Sequence, residues 1–386
     1  MKIPYARQHI DEQDVDAVIQ ALRSDWLTQG PALPRFEEKV SNYCGAKCAC
    51  AVANGTAALH LACLALGLKA GDILWTTPIS FVASANCALY CGASVDFVDI
   101  DPRTYNMSVA RLEKKLEKAK KEKKLPKIVI PVHLTGQSCE MKPIFELSKK
   151  YGFKIIEDAS HAMGGSYLKQ KVGSCAYSDC VVFSFHAIKI ITTGEGGMVV
   201  TNDKNLHAKV ARLRTHGITR APEEMILKNP APWYYEQQEL GFNYRMTDIQ
   251  AALGYSQMNR VDEFVRRRRE IAARYNQLLS DLPLVLPFQY PDTQSSYHLY
   301  VIRLQTEKIQ KTHRQIFEAL REKGIGVNLH YMPIYLQPHY QQLGFQKNLC
   351  SEAEKYYSAS MSLPMYYGLS NEQQDFVVQT LKNEIL

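Results

Sequence analysis

The sequence predicts an α/β protein: a mostly parallel central sheet in a helix sandwich, with a smaller C-terminal α+β domain behind it. Three observations carry that prediction. From about Lys47 to Thr201, short apolar β-rich runs alternate with helical segments, the pattern of a parallel sheet covered by helices. Those runs are continuously apolar, as expected of strands buried on both faces. Beyond about Thr247 the texture changes to long helix and isolated strands. The 386 residues suit one large and one smaller domain, divided here into 1–250, with the N-terminal segment, and 251–386.

The elements follow in order. Asp11 to about Leu22 has helical spacing. Seven strand candidates come next: "CACAVA" (48–53), "ILWTT" (73–77), "SVDFVDI" (94–100), "KIVIPVH" (127–133), "FKIIED" (153–158), "CVVFSFH" (180–186) and "GMVVT" (197–201). The stretch from Asp248 to about Leu282 reads as long helix. "YHLYVIRL" (297–304) reads as a strand, Lys308–Lys323 as a helix and "GVNLHY" (326–331) as a strand.

Composition excludes several classes. The N-terminus lacks the apolar core of a secretory signal, and no stretch approaches the roughly 18 apolar residues of a membrane span. A cytoplasmic protein without membrane attachment is expected. The net charge of +7 is spread along the chain. Its two basic clusters, Glu113–Lys124 and Arg266–Arg269, lie in helical patterns and read as solvated faces, so no nucleic-acid partner is expected. The 10 cysteines are scattered through apolar segments. "CGAKCAC" lacks a second ligand pair, so free thiols and no metal are expected.

Four stretches carry chemistry. In "AVANGTAALHLACLAL" a strand ends at Asn54 and a helix opens at Gly55 and Thr56. Unpaired amides, a partial positive charge and a hydroxyl make a phosphate cradle there, although many such turns bind nothing. In "KIIEDASHAMGG", Asp158 follows a buried strand at the edge where open α/β sheets place ligands. It also suits a helix cap, and His161 alone reads more readily as a structural histidine. In "VVFSFHAIKIITTGEGG", Ser184 ends a strand and Lys189 sits eight residues into an apolar run. Burying an ammonium is costly unless it is paired or neutralised; a snorkelling side chain is the alternative. In "TTPISFVASAN", Phe81 follows the strand ending near Thr77.

Together these pieces suit pyridoxal 5′-phosphate. Its aldehyde needs an amine, its pyridine nitrogen a carboxylate, its phosphate N–H and hydroxyl donors, and its ring face an apolar plate.

"EDASHAMGG", "SFHAIKIITTGEGG" and "GFNYRMTDIQAALG" resemble the DegT/DnrJ/EryC sugar aminotransferases, which act on nucleotide-linked keto sugars. The likeness runs from about Tyr5 past Pro364. It implies the type I, aspartate-aminotransferase-like fold. Lys189 would form the Schiff base and carry protons, Asp158 would pair with the ring nitrogen, and His161 would neighbour the ring hydroxyl. Ser184, Gly55 and Thr56 would bind phosphate, and Phe81 would stack on the ring. Asn243 would reach the partner subunit's phosphate, making a homodimer with a shared site. Tyr5, the loop Asp25, Trp26, Leu27 and Thr28, and the run His330, Tyr331, Met332 and Pro333 would line the sugar-nucleotide site. Many members have alanine or glutamine at the positions of Ser160 and His161.

"ALRSDWLTQGPALPRFEE", "PWYYEQQELGFNYR" and "VNLHYMPIYLQPHY" imply a narrower substrate, a UDP-linked 4-keto-6-deoxy-N-acetylhexosamine, with glutamate as amino donor. A UDP-4-ketopentose or a dTDP-4-keto-6-deoxyhexose is the alternative. The dehydratases of the family carry histidine at the lysine position, which here is Lys189. A non-catalytic, cofactor-binding sensor would have no need of an intact lysine, aspartate and phosphate loop.

Overall fold

The computed structural model describes residues 2–386. Seven strands form the central sheet: β1 (Cys48–Val52), β2 (Ile73–Thr76), β3 (Ser94–Phe97), β4 (Ile128–Ile130), β5 (Lys154–Asp158), β6 (Cys180–Ser184) and β7 (Gly197–Thr201). Their spatial order is β1-β7-β6-β5-β4-β2-β3. β2 is parallel to β3 and β4, β4 to β5, and β5 to β6. Only β7 runs against its neighbours, β1 and β6. The apolar runs are buried on both faces: Val181, Val182 and Phe183 are each at most 1% exposed, and burying one such valine contributes about 1.5–3 kcal/mol.

The helices around the sheet alternate with its strands only from β1 to β5. They are α1 (Glu12–Leu22), α2 (Ala32–Cys44), α3 (Gly55–Ala65), α4 (Ala83–Tyr90), α5 (Val109–Glu122), α6 (Met141–Tyr151), α7 (Lys204–Arg214), α8 (Asp248–Gln257) and α9 (Val261–Leu278). α3, α4 and α7 share one core with the sheet. On the other face α2, α8 and the start of α9 cover one half and α5 and α6 the other. A division at residue 250 falls inside α8, and α9 contributes to two cores: Val261 to Val265 pack on the large sheet, Ile271 to Tyr275 on the C-terminal core.

That second core surrounds a three-stranded antiparallel sheet of β8 (Leu284–Val285), β9 (Tyr300–Leu304) and β10 (Ser360–Leu363). α10 (His313–Glu322) and the C-terminal helix (Asn371–Ile385) pack beside it. α10 starts later than its periodicity predicts, because the Thr312 hydroxyl takes the Gln315 amide and caps the helix there. The strand predicted over 326–331 does not form. Asn328 exchanges two backbone bonds with Ser362. The Asn328 side chain then takes the Leu329 amide at 2.8 Å, and the Tyr356 hydroxyl donates to the His330 carbonyl at 2.5 Å. Pro333, with no amide to offer, follows. The "RRRR" run is not wholly a solvated face. Arg268 is 2% exposed and its Nη1 donates to the carbonyls of Tyr297, His298 and Met365. Among the described residues no helix is long and apolar enough to cross a membrane, and all ten cysteines are free.

Candidate functional site

Strand direction builds the site. β1, β5 and β6 run the same way, so Val52, Asp158 and Ser184 end at one edge. The start of β7 is wedged there: Gly197 pairs with Val52 on one side and Ser184 on the other. A Cβ on Gly197 would lie 2.4 Å from the Asn54 carbonyl carbon, so only glycine lets the strand press this closely on the turn that opens α3. The Asn54 side chain accepts the Ala57 amide at 2.8 Å. As N1 and N2 of α3, Gly55 and Thr56 carry amides with no intrahelical acceptor. A Cβ on Gly55 would sit 3.1 Å from the Ser184 Cβ, so a side chain there would crowd the cradle.

Beyond this edge lies a cavity of about 810 Å³. Asp158 enters it from the end of β5 and is 4% exposed. Its Oδ2 accepts the Ser84 hydroxyl at 2.6 Å and its Oδ1 the Ser160 amide at 3.1 Å. Lys189 follows β6 in a turn closed by its own amide on the His186 carbonyl at 2.9 Å. The following "TTGEGG" is held tightly: the Phe185 amide donates to the Gly196 carbonyl, the Thr193 amide donates to the Phe185 carbonyl, and Gly194 adopts φ +77°. Burial pushes the Lys189 amine down to about 8, against the pull of Asp158, which raises it.

The far wall joins His161, just past β5, to His298, His330 and Tyr331 from the C-terminal part, and its histidines are neutral. The Thr135 amide donates to His161 Nδ1 at 3.3 Å, which assigns the ring proton to Nε2, 3.3 Å from the Tyr331 hydroxyl. Burial, then the neighbouring Lys189 and His330, hold His161 well below its ordinary range. His298 packs on it with ring centroids 4.4 Å apart. His330 is pushed down to about 4 by burial and Lys189; its Nδ1 lies 2.8 Å from the Ser362 hydroxyl. Phe81 stands at the rim, 59% exposed, with its ring 6.3 Å from that of Tyr331. More than half of it is free to cover a planar ligand.

Tyr5, Gly55, Thr56, Phe81, Asp158, His161, Ser184, Lys189, His330, Tyr331 and Met332 all line this one cavity. The remaining expected residues do not. Pro333 is buried behind the wall. Asp25, Trp26, Leu27 and Thr28 are exposed and tied to the start of α8, where Thr28 bridges Thr247 and the Asp248 carboxylate takes the amides of Gly30 and Ala32. Asn243 is exposed and bridges Thr215. Neither segment reaches the cavity of its own chain. Sequence reasoning missed Ser80, Ser84, His298 and Asn328. Ser80 and Ser84 were discoverable, four residues apart in "ISFVAS"; no local pattern marks the other two.

The residues present fit pyridoxal phosphate. An amine and an oriented carboxylate share a cavity with a helix start stripped of side-chain bulk and an uncovered aromatic face. Among the described residues no group of three or more His, Cys, Asp and Glu is placed to hold a metal ion.

Comparison with known proteins agrees. The model of the DegT/DnrJ/EryC1/StrS aminotransferase family matches residues 8–382. A Campylobacter jejuni UDP-4-amino-4,6-dideoxy-N-acetyl-beta-L-altrosamine transaminase is 39% identical over 98% of this chain and 96% of its own. GDP-perosamine synthase of Caulobacter vibrioides is 36% identical over 98% and 97%. The structure of Helicobacter pylori PseC, an aminotransferase of pseudoaminic acid biosynthesis, superposes with a TM-score of 0.91 at 33% identity, covering 100% of this chain and 99% of that one.

Proposed function

The chain belongs to the DegT/DnrJ/EryC1/StrS aminotransferase family and is a pyridoxal-phosphate-dependent sugar aminotransferase, and from that premise we propose its substrates and the work of its residues. The amino donor is L-glutamate. The acceptor is UDP-2-acetamido-2,6-dideoxy-β-L-arabino-hex-4-ulose, aminated at C4 to UDP-4-amino-4,6-dideoxy-N-acetyl-β-L-altrosamine for pseudaminic acid biosynthesis. The observation that carries this reading is the likeness, over nearly the whole chain, to a transaminase of that name.

Bound pyridoxal phosphate supplies an aldehyde that carries the amino group and a ring that withdraws electrons. Lys189 is the amine that would hold the cofactor through its aldehyde, with loss of water. As a free amine it takes the proton from the donor α-carbon and later delivers one to C4 of the sugar. An amine whose pKa burial draws down to about 8 is suited to both directions of that transfer. Asp158 holds the proton on the ring nitrogen. The Gly55 and Thr56 amides and the Thr56 and Ser184 hydroxyls bind the phosphate. Phe81 covers the ring, and His161 faces the ring hydroxyl as a neutral donor. Tyr5 and His330 to Met332 face the sugar nucleotide.

The site is completed by a second copy, which brings Asn243 and the 25–28 loop. Ile226, Trp233 and Leu240, each more than four-fifths exposed, supply apolar surface for such an interface. Sedimentation should give twice the 43.8 kDa chain mass; a monomer at micromolar concentration would remove Asn243 from the site. The substrate is tested with purified protein, glutamate and a panel of UDP-, GDP- and dTDP-linked 4-keto sugars, the aminated product read by mass. Turnover of the UDP-N-acetylhexosulose is expected. Turnover only of the GDP sugar, the direction suggested by the perosamine synthase likeness, or of a dTDP sugar or UDP-pentose, would replace this substrate.

A further inference from the structure

We propose that the Ser80–Ser84 hydroxyl pair is a positioning device for Asp158, fixing the plane of its carboxylate so that it grips the cofactor's ring nitrogen; this rests on the reading above that Asp158 faces that nitrogen. Ser84 Oγ lies 2.6 Å from Asp158 Oδ2, and Ser80 Oγ lies 2.7 Å from Ser84 Oγ. All three residues are buried, at 3%, 1% and 4% exposure. An ionised carboxylate only accepts, so the Ser84 proton must go to Asp158. Ser84 then has no proton left for Ser80, and Ser80 must donate to it. The chain therefore has one direction, from Ser80 through Ser84 to the carboxylate.

Such a chain does two things. Each bond polarises the next, and the last is charge-assisted, the strong kind. It also settles orientation. The Ser160 amide holds Oδ1 at 3.1 Å while Ser84 holds Oδ2, so two donors on two different elements stop the carboxylate rotating. Its remaining lone pairs are directed by the protein before any ligand arrives. Ser80 lines the cavity and Ser84 does not. Ser84 thus acts through Asp158 rather than on the ligand.

The test uses full-length Ser84→Ala, Ser84→Thr and Ser80→Ala, each checked for native folding by circular dichroism. Loss of a hydrogen bond to a charged group predicts about a tenfold to hundredfold loss in the affinity of cofactor-free Ser84→Ala for pyridoxal phosphate and in kcat, with KM for the sugar nucleotide nearly unchanged. The NMR shift of an isotope-labelled ring nitrogen should move toward the unprotonated value. Ser84→Thr, which keeps the hydroxyl, should recover both. Ser80→Ala should move them in the same direction by a smaller step, and it decides the matter if Ser84→Ala does not fold. A wild type that binds the cofactor, with Ser84→Ala identical in affinity and ring-nitrogen shift, overturns the positioning role alone. A wild type that binds no pyridoxal phosphate overturns the reading beneath it as well.

Discussion

Two neighbouring acids on β5 end in different kinds of site. Glu157 and Asp158 are 6% and 4% exposed, and successive side chains of a strand leave it on opposite faces. On one face, Glu157 Oε2 lies 2.7 Å from His133 Nε2 and Oε1 accepts the Ser178 hydroxyl at 2.5 Å. The Cys139 amide donates to His133 Nδ1 at 3.1 Å, which places the imidazole proton on Nε2, toward the acid. The space beside Glu157 is about 20 Å³, room for about one water. On the other face, Asp158 has its two protein donors, and then a cavity of about 810 Å³. Burial of an acid therefore does not mark function. What marks it is bonding capacity left unspent toward a space that a ligand fills.

The comparison breaks most visibly in activity. Asp158→Asn keeps shape and one acceptor but removes the charge opposite the ring nitrogen. Turnover should fall about 10²–10³-fold, the usual cost of losing one electrostatic stabiliser, while stability of the cofactor-free protein changes by under about 2 kcal/mol. His133→Leu should do the reverse. It strips a buried carboxylate of a donor and orphans the Cys139 amide, costing about 3 kcal/mol of stability, while kcat per folded molecule stays the same. Chemical denaturation and steady-state kinetics on both variants decide it. Equal damage to kcat from His133→Leu would show that the two faces are one functional unit.

Legibility in the sequence follows the same division. The sheet edge was readable because its determinants are local. A continuous apolar strand ending in asparagine-glycine, aspartate or serine places those residues at one edge once the strands are parallel. A lysine deep in an apolar run also stands out by its cost. The far wall was readable only by resemblance. His298 lies at the start of a strand pattern, and Asn328 sits in a run whose composition predicts a strand the chain never forms. Their roles depend on which rings meet across the domains, and no local pattern encodes that. The 25–28 loop shows the same limit. The Asp248 amide donates to the Leu27 carbonyl, which joins residues more than 200 positions apart, so the loop's distance from the cavity of its own chain could not be read from the sequence.

A pH-dependent effect concerns the cation that shares the cavity with Asp158. Burial lowers Lys189 from 10.5 to about 8, so between those values the unfolded chain holds a proton that the folded one has released. Stability of the cofactor-free protein should therefore rise with pH across that window. Below about 8 the amine is charged in both states, and the cost of burying it is present in full. Other lysines and tyrosines titrate in the same range, so the quantity to measure is the difference in unfolding free energy between wild type and Lys189→Met. That difference should favour the methionine variant below about pH 8 and shrink as pH climbs toward 10.5. A flat difference would mean that the amine keeps its ordinary pKa, and that the cavity around Asp158 is as wet as the surface. The carboxylate would then face its ligand through solvent, and the contrast between the two faces of β5 would be one of geometry alone.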